Sequence, residues 1–430
     1  DSNTAVGHTA LDANTTGSSN VAMGTNALGA NTTGANNTAV GKFAMKSNTT
    51  GTANIAIGLD ALCTNTDTNE NVAIGNYALK SNDNTNTVGI GFKALCANTT
   101  GANNTAVGTN SLDGNTTASN NTAFGKSSLG SNTTGANNTA MGSGALFQNT
   151  TAAENTAVGY NALTVNTTGA TNTAVGANVL DANTTGCQNV AVGTNALGVN
   201  TTGCSHVAIG HLALDANTTG TFNTAVGKAA GTAITTGFKN TGVGRDSMPL
   251  LTTGCFNTAI GESSGGVTTT GSCNLAVGRD SEHSANNTTR EIVIGIGEVG
   301  KGSETAFLDG SSGVFNKANT TTWNQTSDRR IKKNIVDNNI GLEKITQIQV
   351  RDFEYRTKVE VTDFENVESA YVDQSGVQIG VIAQEIETIF PEMVTTQSTG
   401  VKTFNPDKLT FYLINAIKEL KAEIELLKNK

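Results

Sequence analysis

One period governs this chain. The stretch Asn37-Thr-Ala-Val-Gly41, followed by Lys42-Phe-Ala-Met-Lys-Ser-Asn-Thr-Thr-Gly51, returns in variant form with starts at residues 3, 20, 37, 54, 71, 87, 104 and onward to 291. Every step is 17 residues except 71 to 87, which is 16. The consensus reads Asn-Thr-Ala-Val-Gly-x-x-Ala-Leu-x-x-Asn-Thr-Thr-Gly-x-x. A unit that short cannot bury a face alone, so its copies must stack on one another. The repeat therefore dictates a solenoid before any other feature is weighed.

Within a repeat, positions two and four are β-branched or apolar, as in Ile55 and Ile57 or Val190 and Val192, with Ala between them. Such period-two alternation predicts a short, half-buried strand, with its branched side chains as the first inward anchor. Position five is Gly from Gly7 to Gly295, which calls for a positive φ or for a backbone too close to admit a Cβ. The Gly of Asn-Thr-Thr-Gly is looser, being Ala118 and Ala152 in two repeats, so no left-handed conformation is required there. Leu at position nine, from Leu11 to Leu214, reads as a second inward anchor. From residue 223 onward that Leu gives way to Gly231 and Gly265, while Ile234, Leu250, Leu251 and Val267 appear two or three positions later. Volume lost on one wall is regained on the other, so both walls face one interior. The Asn at position twelve is then expected there as a hydrogen-bonded ladder.

The predicted fold class is mainly β: a β-solenoid or β-roll shaft of 17-residue coils, two short strands and two turns each, over residues 1–310. About seventeen rungs at 4.7–4.8 Å give a shaft of roughly 80 Å. So thin a coil buries little apolar surface, which predicts association of several copies. The closest repeats, Asn54-Ile-Ala-Ile-Gly58 and Asn71-Val-Ala-Ile-Gly75, resemble the head repeats of trimeric bacterial adhesins. That resemblance implies a left-handed parallel β-roll packed as a threefold bundle, although the adhesin rungs are shorter.

Several function classes drop out. Charged residues make up 14% of the chain and the net charge of −9 comes with no basic stripe, so nucleic acid is not an expected partner. No run of about 18 apolar residues and no signal peptide is visible, and no membrane insertion is expected. The chain opens at Asp1 without Met, which reads as a fragment or a processed product. Gly295-Ile-Gly-Glu-Val-Gly300 followed by Lys301 imitates a dinucleotide or phosphate loop, but Gly302 stands where Ser or Thr should bind magnesium and no helix pattern follows. His8, His206, His211 and His283 show no ligand spacing and read as surface or turn residues, so neither metal nor cofactor is expected. Cys63 and Cys96 lie two rungs apart, too far to bridge. Cys187 and Cys204 lie on adjacent rungs where a bridge is feasible, yet free thiols are the favoured reading and fit assembly in a reducing cytoplasm.

After Gly310-Ser-Ser-Gly313 the repeat stops, charge becomes dense and the single Trp, Trp323, appears. Ser327-Asp-Arg-Arg-Ile-Lys332-Lys-Asn-Ile335 is followed in order by Gly341-Leu-Glu-Lys-Ile-Thr-Gln-Ile348, Val350-Arg-Asp-Phe-Glu-Tyr355, Gly380-Val-Ile-Ala-Gln-Glu385 and Phe390-Pro-Glu392. These blocks resemble the intramolecular chaperone domain of phage tail spikes and fibres, the auto-cleaving endosialidase type. The resemblance covers roughly the last 110 residues and implies a small α+β domain over 327–430 behind a linker at 311–326. It implies self-cleavage between Thr326 and Ser327, with Ser327 as nucleophile, Lys332 as base, Asp328 and Arg330 orienting the turn, and Gln384 and Glu385 in support. A Ser hydroxyl can attack the preceding carbonyl once its proton is removed and the peptide is strained. Ser327 and Asp328 also suit a plain helix cap, and the two roles are compatible.

Leu413, Ile417, Leu420, Ile424 and Leu427 are spaced four, three, four, three, the heptad seam of a coiled coil over about 409–430. A parallel, three-stranded bundle there would set the register of near-identical rungs. The function so predicted is a structural homotrimeric fibre of a virion, assembled in the host cytoplasm and attaching to a glycan or outer-membrane receptor. Its only enzymatic act would be one self-cleavage. Alternatives are a cellular trimeric surface adhesin, which needs a membrane-anchor strand set, and a polysaccharide-degrading tailspike. The latter needs paired carboxylates and aromatic sugar platforms, and the shaft's Asp and Glu read as sparse and out of phase.

Overall fold

The computed structural model describes residues 2–309, 335–363, 372, 374–396 and 400–429. They fall into two compact units, Asp1–Cys273 with Gly278–Asp280, and Asn274–Val277 with Ser281–Lys430. The chain is mainly β, a β-solenoid of 17-residue coils with a small helix-ending region at its C-terminal end.

In the first unit each coil contributes one three-residue strand, beginning with β1 (Thr4–Val6) and β2 (Val21–Met23) and ending with β16 (Thr258–Ile260). Successive strands pair in parallel and in register, Thr4 against Val21, Ala5 against Ala22, Val6 against Met23. The 16-residue coil keeps this register, Val72 pairing with Val88. Its missing residue is absorbed after Asn82, where the bend carries Asp83 and Asn84 in place of Thr-Thr-Gly. A second strand is not formed. The Asn-Thr-Thr segment is a bend, and the Thr Oγ1 bonds straight to the carbonyl one rung on, as from Thr32 to Thr49 O at 3.1 Å. Two adjacent threonines in a bend leave the second one exposed, as with Thr16 and Thr134.

The inward residue of each strand in this unit is the central one, Ala in all but the strands of Gly89 and Gly242, and every such Ala from Ala22 to Ala208 is fully buried, while positions two and four face outward. This corrects the expectation that the branched residues point inward, and the reason is volume. A 17-residue coil typically encloses Ala at positions three and eight, Leu at nine and two Asn, which leaves little room for a branched residue at positions two and four. Leu28, Leu95 and Leu163 are fully buried yet sit at φ of +49°, +54° and +53°. A left-handed non-glycine residue costs roughly 1–2 kcal/mol, which the roughly 1.5–3 kcal/mol of a buried Leu offsets. Gly231 and Gly265 occupy that position at +60° and +69° without the strain. A Cβ on Gly231 would lie 3.0 Å from Ile234 Cδ1, so the volume exchange read from the sequence holds for Ile234 and Leu251, both buried, but not for Leu250, which is 52% exposed, or for Val267, which is only half-buried.

In the second unit β17 (Leu275–Val277), β18 (Ile292–Ile294) and β19 (Ala306–Leu308) pair with one another in parallel, the last coil being shorter. Farther along, β20 (Arg351–Phe353) pairs antiparallel with β21 (Gln378–Gly380), and β22 (Val394–Thr396) with β23 (Lys402–Phe404). Ile386, Phe390 and Met393 form a core, packed by Ile348, Val381, Ile389, Val394, Phe404 and Tyr412. A long helix, Leu409–Lys428, closes the described chain.

Candidate functional site

Two ladders hold the rungs together. At position twelve, Asn31 Nδ2 donates to Asn14 Oδ1 at 2.9 Å and to Gly34 O at 3.0 Å, and Asn48 repeats the pattern on Asn31 and Gly51. This is the expected ladder. The second, at position one, was not foreseen. Asn37 N–H donates to Asn20 Oδ1 at 2.9 Å, and Asn37 Nδ2 to Gly51 O at 2.8 Å. Both amides therefore converge on the carbonyl of the Thr-Thr-Gly glycine, and both Asn are fully buried.

His206 occupies the position-one ladder and corrects its reading as a surface residue. It is buried; its Nε2 donates to Gly220 O at 2.7 Å and its Nδ1 accepts from Asn223 N–H at 3.2 Å. The ring copies both bonds of an Asn amide, which only the neutral Nε2–H tautomer can do. Burial accordingly lowers its pKa to about 4. His283 is buried as well, and burial lowers its pKa too. Glu291 ends the series, its carboxylate accepting from Ser284 N–H at 2.9 Å and Gly302 N–H at 2.6 Å. Gly300 N–H is likewise spent, on Glu282 O at 2.9 Å. The glycine motif at 295–300 thus belongs to the last coils and leads into the strand Ala306–Leu308, not a helix.

Position five combines both constraints expected of it. Gly108 sits at φ +137°, and a Cβ there would lie 2.4 Å from Gly125 O. The crowding atom belongs to the next rung of the same chain. Among carboxylates, Asp181 and Asp215 share position ten two rungs apart, correcting the view that acids are wholly out of phase; burial raises both pKa values. Phe238 and Phe256 meet edge to face at 5.4 Å. Among the described residues no group of His, Cys, Asp and Glu is placed to hold a metal, and no helix is long and apolar enough to cross a membrane.

In the C-terminal region the quoted blocks meet. Gly341 lies against the long helix so closely that a Cβ would sit 2.3 Å from Ala416 N, and Leu342 N–H donates to Glu419 Oε2 at 2.9 Å. Asn415 Nδ2 reaches Asn338 O at 2.7 Å. Glu385 takes the Arg351 guanidinium through both oxygens, at 2.9 and 3.3 Å, and shares a shallow hollow with Gln384, Gln347, Gln349 and Thr388. Tyr412 packs on Phe390 at 4.7 Å and donates to Glu392 Oε1 at 3.1 Å. Burial, then that carboxylate, raises the phenol pKa, while Glu392 is lowered by its own backbone N–H and by the hydroxyl. These contacts occupy the Ala416 side of the helix. Leu413, Ile417, Leu420, Ile424 and Leu427 stay 43–71% exposed. Thr326, Ser327, Asp328, Arg330 and Lys332 lie outside the described residues.

The chain thus combines a β-solenoid of near-identical rungs with a small C-terminal region whose helix seam is exposed. Residues 327–395 match the family described as chaperone of endosialidase. Together the match and the solenoid fit a structural protein of the phage tail-fibre or tailspike type. No curated protein and no solved structure matches the chain.

Proposed function

We propose that this chain is the subunit of a homotrimeric virion fibre for host attachment, its shaft spanning 1–310, a linker 311–326 and a chaperone domain 327–430. The observation that carries the reading is the outward face of the strands. From Thr4 to Ile260 positions two and four are Thr, Val, Ile, Met or Phe without one charge, and Val6, Met23, Phe124, Met141 and Ile260 are 40–56% exposed. A solvent-facing sheet alternates apolar with polar residues, and edge or open faces carry charge against association. This face lacks that protection, which supports burial against further copies. At roughly 25 cal/mol per Å², covering one such side chain contributes about 1 kcal/mol. With two such positions per rung, the summed gain outweighs the roughly 4–15 kcal/mol that association costs.

The seam from Leu413 to Leu427 supports the same partner, since a single helix leaves it uncovered. Three copies joined there would align the shafts before near-identical rungs can zip out of register. Cleavage between Thr326 and Ser327 then releases the template, Ser327 attacking the preceding carbonyl with Lys332 as base, Asp328 and Arg330 orienting the turn, and Gln384 and Glu385 in support. Of these, Glu385 fixes Arg351. The attachment partner is a host glycan or outer-membrane component, and assembly takes place in the host cytoplasm. A denaturing gel of the full chain tests the cleavage. A fragment of roughly 100 residues that vanishes in Ser327→Ala is expected, and its persistence in that variant overturns the assignment of Ser327.

A further inference from the structure

Cys187 and Cys204 stand at position sixteen of adjacent rungs. Their sulfurs are 2.8 Å apart, and Cys187 N–H donates to Cys204 Sγ at 3.0 Å. Both backbones are pinned by the solenoid itself: Ser205 N–H bonds to Cys187 O and Phe222 N–H to Cys204 O, each at 3.0 Å. Rungs stack at about 4.8 Å, inside the roughly 4.4–6.8 Å between Cα atoms that a disulfide spans. No other described cysteine is so placed. Cys63 Sγ contacts Lys80 O, and Cys255 faces the Ser272 hydroxyl at 3.5 Å. Both thiols of the pair are partly exposed, so a small oxidant can reach them.

We propose that Cys187 and Cys204 form an oxidation-closable staple that joins two rungs of one chain once the protein leaves a reducing compartment. The co-reactant is a low-molecular-weight disulfide such as oxidised glutathione. One protein thiolate attacks it, forming a mixed disulfide and expelling one glutathione thiolate. The second protein thiolate then attacks the protein-bound sulfur and expels the other. Two protein thiols are oxidised, one glutathione disulfide is reduced to two thiols, and both protons go to solvent or the leaving thiolates. The hydrogen bond to Cys204, with burial, raises the Cys187 thiol to about 11, so closure quickens as pH rises.

Trypsin gives an unusually clean test, because no Lys or Arg lies between Lys126 and Lys228 and that peptide holds only these two cysteines. The full chain is exposed to oxidised glutathione, quenched in acid, denatured, alkylated and digested. Peptide 127–228 should appear unalkylated and two hydrogens lighter than its reduced form, with the other four cysteines open to alkylation, glutathione or both. A Cys204→Ser variant should carry alkyl or glutathione on Cys187 instead. Ser is native to this position at Ser18, Ser119 and Ser272, so the variant is expected to fold. Alkylation of both Cys187 and Cys204 in the oxidised wild type overturns the proposal, as does a bond linking either to another copy on a non-reducing gel.

Discussion

Glycine serves this chain in two different ways, and single substitutions separate them. Gly159 sits at φ +139° with the site of its missing Cβ 2.1 Å from Gly176 O. A Cβ on Gly169 would be crowded too, 2.2 Å from Gly186 O, but Gly169 is not left-handed, and Ala118 and Ala152 stand buried at the equivalent position. Gly159→Ala should therefore lower stability by about 2–4 kcal/mol and Gly169→Ala by less than about 1 kcal/mol. Equal melting temperatures for the two variants would contradict this. His206 gives the second residue-scale test. Its folded pKa of about 4 lies below the ordinary 6.5, so the unfolded chain binds the extra proton. Its contribution is complete above pH 6.5 and is lost as pH falls through 4, amounting to about 3 kcal/mol. His206→Asn should melt at a higher temperature than wild type in acid, with the gap closing toward neutral pH. A gap that does not change with pH would refute the ladder role.

At the scale of one coil, the interior is a polar wall facing an apolar one. Asn132 donates to Asn115 Oδ1 at 3.0 Å and Gly135 O at 2.9 Å, and accepts from Asn149 Nδ2 at 2.8 Å. Asn132→Ala strands those partners in a dry interior and should cost about 2–4 kcal/mol, whereas Thr134→Ala on the exposed bend should cost under about 0.5 kcal/mol. Chemical denaturation of both variants decides it; a mild Asn132→Ala would mean that water enters the coil. Much of the coil was legible from sequence. The period, the position-five glycine, the Leu wall and the position-twelve ladder all follow from strictness of residue type at fixed spacing. The facing of the strand did not, because alternation has two phases and hydrophobicity favours the wrong one. Ala points inward since the coil is narrow, and the branched residues are left on the outer face. The role of His206 was hidden for a related reason: its function is that of the Asn it replaces, and spacing to other histidines carries no trace of it.

At the scale of the molecule, one logic links the two apolar features. Uniform rungs stack well but specify register poorly, and the outward strand face gives no charge code to correct a slip. The Leu413–Leu427 seam is exposed and is braced by Gly341 and Glu419 on its other side; in the proposed trimer it would supply the register that the rungs lack. The blocks around Gly341, Glu385 and Phe390 were readable as a family pattern, and the structure gives them physical content as a close approach, an ion pair and a core residue. The central claim is that three copies bury the strand face together. Sedimentation of full-length Ser327→Ala, which keeps every chain intact, tests it most directly. The expected mass is three times 43.9 kDa, falling toward the single-chain value when Ile57, Val107 and Val158 are changed together to Lys. A 43.9 kDa species for the unaltered face, or a trimer indifferent to the three lysines, would contradict it.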